Sequence, residues 1–249
     1  FTKQHTLCCV SQYHTDRTKL YYSGNRKNWT FSNTIVPDDY VFSSYSGQED
    51  VVESDGVVRH VSAANREKET FFIHDVLDGT DIRSQVFTTL KYMGKADQDV
   101  YVKKAMEKYN TDDRPVYQDA EHSTIMSKIA RSACCFVSLA SYDTFTITSL
   151  EALSRGVPLI VKGWKGKHPA TEMIEPEFSK YVHILKNKNE FTDVVRGFQN
   201  MTLQERKDLA ASCYRKTSKE QYRKSLERVL KGAVEKYNTT SKSPLFDFL

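Results

Sequence analysis

No stretch of this 249-residue chain approaches the run of about 20 apolar residues that a helix needs to cross a bilayer. The opening residues, FTKQHT, lack the apolar core of a secretory signal, so a cytoplasmic setting is expected. Cysteine is sparse and odd in number: Cys8, Cys9, Cys134, Cys135 and Cys213, with no CxxC pair and no companion histidines at metal-ligand spacing. Free, buried thiols in a reducing compartment are therefore expected rather than a disulfide framework. The acidic pairs Asp38-Asp39 and Asp112-Asp113 run into Tyr40 and Arg114, so neither makes a DxD metal site, and no metal is required. There is no internal repeat. The first residue is Phe1 rather than Met, and the chain reads as a fragment of something longer.

What is present is ordinary for a soluble globular protein: 39% apolar and 27% charged residues. The net charge of +4 is uneven, with ten Lys/Arg against five Asp/Glu between Leu203 and Tyr237. Such a basic tail suits either a phosphate-rich partner or a solvated helix face.

Strand-like and helix-like periods alternate along the chain. Buried strands are expected at His5 to Ser11, Thr34 to Val36, Val57 to Ser62, Gln85 to Met93, Pro115 to Gln118, Cys134 to Leu139, Pro158 to Val161 and Tyr181 to Leu185. Between them lie helical patterns at Gln12 to Tyr22, Arg66 to Leu77, Lys95 to Tyr109, Ser123 to Ala133 and Glu190 to Phe198. A last helix carries Leu226, Val229, Leu230, Ala233, Val234 and Tyr237 on one stripe, which should dock on something. This order predicts an α/β fold, a Rossmann-like parallel sheet with helices on both faces and ligands bound beyond the carboxyl ends of the strands. The polar stretch from Tyr40 to Gly56 reads as a linker, with a domain boundary near 40 to 55.

The segment from Ser138 to Pro158 carries the most chemistry. A strand ends near Leu139, a polar loop presents Asp143, a helix starts near Thr146, and Glu151 follows on it. Backbone N–H groups around Phe145 and Thr146 would form an anion site at that helix start. Gly156 suits the helix end and Pro158 opens the next strand. A carboxylate such as Glu151 can accept from both hydroxyls of a ribose.

This segment resembles the E-x7-E region of retaining glycosyltransferases of the two-Rossmann-domain, GT-B type (family 4-like). Asp143 takes the first acidic position and Glu151 the second, with the family's eight-residue separation. The resemblance implies that Asp143 touches the donor sugar and Glu151 the ribose. Two departures stand out: Asp replaces Glu at 143, and Thr144 and Thr146 replace glycines that let the backbone approach phosphates. VRHVSAANREK is similar to the first-strand loop, which implies a pyrophosphate grip by Arg66 and Lys68; Tyr117 and Gln118 fall where backbone groups meet the nucleobase. GWKGKHPATE resembles the family's Gly-Gly-x-Pro-Glu loop with insertions. The resemblance implies three parts: 1–45, the end of an amino-terminal acceptor domain; 46–240, a nucleotide-sugar-binding domain; and 241–249, a tail.

A narrower similarity, in NREKETFFIHDVLDGTDI and TFTITSLEAL, is to phage DNA glucosyltransferases that modify hydroxymethylcytosine. Thr148 stands where those enzymes place a phosphate-binding Arg. The resemblances together imply transfer of a hexose or pentose from a UDP-type nucleotide-sugar, without an obligatory cofactor although Mg2+ could assist product release. The acceptor is hydroxymethylated double-stranded DNA in a host cytoplasm, or alternatively a glycan, lipid or protein; a catalytically inactive nucleotide-binding module is the reading from another class. No general base is assigned, because it is expected in the acceptor domain.

Bland readings accompany each of these residues. Asp143 could cap the following helix, Arg66 and Lys68 could be a charged helix start, and Glu151 a surface residue. His122, beside Glu121, could be catalytic, a cap or solvent-facing. Trp164 and Tyr142 could stack on a ring or pack the loop.

Overall fold

The structure is a computed structural model describing residues 5–9, 11–22, 29–33, 51–63, 68–89, 104, 107–138, 146–163 and 165–240. Arg66, Tyr142, Asp143, Thr144, Phe145 and Trp164 lie outside the described residues, as does the strand expected at Thr34 to Val36. Most of the helix expected at Lys95 to Tyr109 lies outside them as well.

Two sheets are present. Strands β1 (His5–Cys9) and β2 (Trp29–Asn33) pair in parallel on either side of helix α1 (Gln12–Tyr22). The larger sheet has six parallel strands: β3 (Val58–Ala63), β4 (Ser84–Thr89), β5 (Val116–Gln118), β6 (Cys134–Ser138), β7 (Leu159–Lys162) and β8 (Val182–Ile184). Their order is β5-β4-β3-β6-β7-β8. This is the doubly wound order, in which the chain runs outward from β3 to one edge, returns to β6, and runs to the other edge. The switch point therefore lies between β3 and β6.

The sequence explains the central strands directly. All five residues of β6 are buried, as are Leu159, Ile160 and Val161 of β7, because both sheet faces are covered and every side chain must be apolar or satisfied. Helices α2 (Phe72–Val76), α3 (His122–Ala130), α4 (Ile147–Leu153), α5 (Phe191–Gln199), α6 (Leu203–Thr217) and α7 (Lys219–Thr240) complete the described elements. Phe72, Phe136 and Phe191 join α2, β6 and α5, with ring centroids 4.8 to 5.9 Å apart. Capping boxes start the last part of the chain: Thr202 with Glu205 at α6, and Asn187 with Glu190 just before α5.

Gly156 ends α4 at φ +69°, with Gly156 N–H donating to the Leu153 carbonyl and Val157 N–H to that of Ala152. This Schellman arrangement requires the left-handed conformation that glycine adopts at no steric cost. A Cβ here would also lie 2.1 Å from the Arg206 carbonyl oxygen, so α6 packs on bare backbone. Arg206 itself is buried, and its guanidinium donates to the carbonyls of Ala130 and Ser132 at the end of α3.

Several expectations need correction. Among the described residues, the helix expected from Arg66 to Leu77 covers Phe72–Val76, and before it Thr70 donates to the Ala63 carbonyl at the end of β3. Of the strand expected at Gln85 to Met93, Ser84–Thr89 is seen, and Leu90 to Met93 lie outside the described residues. The carboxy-terminal helical region is two helices broken at Ser218, whose φ and ψ of −61° and 156° are extended. Its apolar stripe is only partly covered: Val229 is buried, whereas Leu230 is 56% exposed. Cys134, Cys135 and Cys213 are free and buried, in line with the thiol reading. No described helix is long and apolar enough to cross a membrane.

Candidate functional site

The carboxyl ends of the six strands gather two groups of polar side chains, one on each side of the switch point. On the β3–β4–β5 side lies a cavity of about 310 Å³ lined by Ser62, Thr88, Asp119, Ala120, Ile125 and Thr148, among others. Asp119, directly after β5, has φ +50°, and its carboxylate accepts from Thr89 Oγ1 at 2.7 Å. A non-glycine residue in this region is strained, and such strain persists only where the surroundings hold it. Thr88 is buried, and its hydroxyl has no hydrogen-bond partner. Tyr117 lies on β5, 39% exposed, with its ring stacked on Phe87 at 5.0 Å.

Glu151 is not the surface residue of the bland reading: it is 6% exposed. It sits three residues after Thr148 on α4, so the two share a helix face beside the cavity. His122 Nε2 lies 2.8 Å from Glu151 Oε1, joining the starts of α3 and α4. The described residues give Oε2 of this carboxylate no hydrogen-bond donor. A carboxylate oxygen left without a donor on a largely buried residue can accept a hydroxyl of a ligand.

On the β3–β6–β7 side, Glu69 has φ +50° in the loop after β3. Its carboxylate accepts from Ser138 Oγ at 3.1 Å and from Lys162 Nζ. Ser138 and Lys162 are register partners at the carboxyl ends of β6 and β7. Beyond Lys162 the chain doubles back: a Cβ on Gly163 would meet the Lys167 carbonyl at 2.0 Å and His168 Cβ at 3.4 Å. His168 is buried beside the strand end, and burial first, then the Lys68 charge, pushes its pKa down to about 3.

The same post-β7 segment binds the small amino-terminal unit. Glu172 accepts from the Gln12 and Tyr13 backbone N–H groups at 2.7 and 2.9 Å, neutralising the positive start of α1. Lys167 lies 3.5 Å from Asp16.

Thr146 stands at the start of α4. It is the N-cap of α4, 7% exposed, with its hydroxyl donating to Ser149 Oγ at 2.6 Å, and α4 is only seven residues long. Among the residues expected to act together, Thr146 caps α4 and Glu151 lies on it, the helix that gives Thr148 to the cavity, and Tyr117 lies on β5, two residues before Asp119 of the cavity lining. Sequence reading passed over Glu69, Ser138, Lys162, His168 and Thr88. Ser138 and Lys162 had a usable signal, as polar residues closing apolar runs where doubly wound sheets bind ligands; His168 had none, because its place depends on the return of a loop. Among the described residues, no group of three or more His, Cys, Asp or Glu is arranged to hold a metal ion.

No family model and no curated protein sequence matches this chain. Solved structures do match. A glycosyltransferase from Rickettsia africae superposes with a TM-score of 0.64 at 11% identity, over 95% of this chain and 64% of that one. Sucrose-phosphate synthase from Thermosynechococcus elongatus gives 0.63 at 11% identity, over 93% and 59%. HepE from Anabaena, solved with UDP and glucose, gives 0.62 at 13% identity, over 90% and 62%. The chain thus has the α/β, Rossmann-like fold of GT-B glycosyltransferases. It spans roughly 45% to 64% of the matched chains.

Proposed function

We propose that this chain is the nucleotide-sugar-binding part of a glycosyltransferase that moves a sugar from a UDP-type donor. The observation that carries this reading is Glu151, a buried carboxylate with one oxygen held by His122 and the other without a donor, beside a cavity at the switch point of a doubly wound sheet. The cavity between β3, β4 and β5 would take the nucleobase over Thr88 and the Tyr117–Asp119 backbone, and Glu151 the ribose hydroxyls. Lys68 would meet the phosphates, joined by Arg66 and by backbone groups at Phe145 and Thr146, with Asp143 on the donor sugar. Fixed donors around the leaving diphosphate would stabilise its developing charge without an obligatory metal, Mg2+ serving at most in product release. The nucleotide domain covers 46–240, and the β1–α1–β2 unit is the end of an acceptor domain; HepE, solved with UDP and glucose on the same fold, supports the choice of donor.

The acceptor is a hydroxylated biopolymer: a glycan, lipid or protein, or hydroxymethylated DNA. The DNA reading rests on sequence resemblance, since the basic tail holds much of its charge internally. Arg206 is buried, and Arg215, Arg223 and Lys224 pair with Glu175, Glu227 and Glu220. Calorimetry with UDP and UDP-glucose tests the core of the proposal. Micromolar binding of both is expected, and binding of neither sinks it. Binding without donor hydrolysis or transfer would instead identify an inactive nucleotide-binding module.

A further inference from the structure

Glu151 belongs to a helix whose backbone has little freedom. Leu150 and Ala152, on either side of it, are fully buried, and the Glu151 carbonyl accepts from Arg155 Nη1 at 3.0 Å and from Ser154 Oγ at 3.1 Å. The freedom that remains is in the side chain, which has several torsions between backbone and carboxylate. Among the described residues one hydrogen bond holds it, from His122 Nε2 to Oε1 at 2.8 Å. A carboxylate only accepts, so Nε2 carries the proton and donates, and charge-assisted bonds of this kind are the strong ones. Oε2 has no donor among the described residues.

The two partners come from segments that line the same cavity. His122 opens α3, and Ala120 and Ile125, on either side of it, are cavity residues. Glu151 lies on α4 one helical turn after Thr148, which lines the cavity as well. The hydrogen bond thus ties the segment after β5 to the helix after β6. Its partners are unequally buried: the Glu151 side chain is 7% exposed and that of His122 39%. Solvent has little part in orienting so covered a carboxylate, and the imidazole orients it. A carboxylate fixed in advance accepts from a ligand hydroxyl without the ordering cost that a swinging one would meet on binding.

We propose that His122 is a positioning residue for the nucleoside, whose Nε2–H fixes Glu151 through Oε1 and leaves Oε2 to accept from the ribose. The His122–Glu151 pair then sets the preference for nucleotides that carry ribose hydroxyls over those that lack them. This rests on the nucleotide-sugar reading above and deepens it, since His122 acts through Glu151 and need touch no part of the ligand.

The test uses the whole chain and two probes, UDP and its dideoxy analogue lacking both ribose hydroxyls, measured by calorimetry. The wild type should bind UDP about tenfold or more tightly than the analogue, the usual size of a hydrogen bond to a charged group. His122→Phe should cut that preference to within about threefold by weakening UDP, with the analogue held within about twofold of its wild-type affinity. His122→Gln, whose amide N–H can donate to Oε1, should restore most of the preference. Equal weakening of both probes by His122→Phe would mark His122 as part of the cavity wall only, and an unchanged preference would show that Glu151 needs no positioning; either overturns the proposal. A wild type that binds UDP and the analogue equally overturns it too and leaves nucleotide binding standing. Failure of the wild type to bind UDP overturns the nucleotide reading itself, and this inference with it. Should His122→Phe not fold, imidazole 15N spectra of the wild type decide: saturating UDP must shift the His122 Nε2 signal further than the saturating analogue does, and equal shifts overturn the assignment.

Discussion

The two ends of the large sheet's strands differ in which residues take left-handed backbone and in how their charged groups are held. At the amino edge, Arg59 is 1% exposed, and its guanidinium meets both Asp55 oxygens, Gln85 Oε1 and Ser132 Oγ. Arg206, nearby, secures the end of α3 through two carbonyls. Left-handed turns near this edge, at Gly56 and Gly156, fall on glycine. At the carboxyl edge, left-handed backbone falls on Glu69, Asp119 and Lys165 as well as on Gly166, and buried polar atoms of Thr88 and His168 lack partners among the described residues. Left-handed backbone on non-glycine residues thus gathers at the carboxyl ends among the described residues, whereas buried polar atoms without partners also occur at His60, His74, His183 and Arg206.

The largest expected effect comes from acid. Burial holds His60 and His74 at pKa values of about 4 and His168 at about 3, below the ordinary 6.5. Each has a depressed folded-state pKa, so between those values the unfolded chain binds more protons. The stability they give is full above pH 6.5 and is lost as pH falls toward 4, by about 1.4 kcal/mol per pH unit for each histidine at most. Urea midpoints taken from pH 7.5 down to 4.5 should fall steeply below 6.5, and a flat profile would show that these rings are not held neutral.

Gly156→Ala strikes the amino-edge side alone. It forces a left-handed alanine against the Arg206 carbonyl and should cost about 4 kcal/mol in urea unfolding. UDP affinity of the remaining folded protein should not change; a large change would blur the two edges.

Glu151→Gln does the reverse. It should weaken uridine and UDP alike by about tenfold, or about 1.4 kcal/mol, because the ribose is common to both. Equal affinity for variant and wild type would place the ribose elsewhere. The smallest effect belongs to Thr88→Val, which removes a buried hydroxyl that has no partner. Stability should stay within about 0.5 kcal/mol or rise slightly, since nothing is left unpaired. A clear loss of stability would mean that the hydroxyl already has a structural role.

The sheet was legible in the sequence wherever both faces are covered, because burial leaves a continuous apolar run that polar substitution cannot interrupt. Cys134–Ser138 and Leu159–Lys162 were anticipated to within about a residue for that reason. Helix α2 was less legible: the helical pattern extends to Leu77 from well before Phe72, but Thr70 is tied to the Ala63 carbonyl and the described helix covers Phe72–Val76. In the site, Glu151 could be read from its spacing to Gly156 and Pro158, since helix length fixes where it falls. Its partner His122 and the cluster around Glu69 depend on contacts between segments 29 to 93 residues apart, which leave no periodic trace.

The contrast between edges is tested most directly by hydrogen–deuterium exchange of the whole chain with and without UDP. Slowed exchange is expected in 118–125, 147–153 and 165–172, with the residues around Arg59 and Arg206 unchanged. Protection confined to the amino edge, or no protection at UDP concentrations that saturate a micromolar site, would contradict the account.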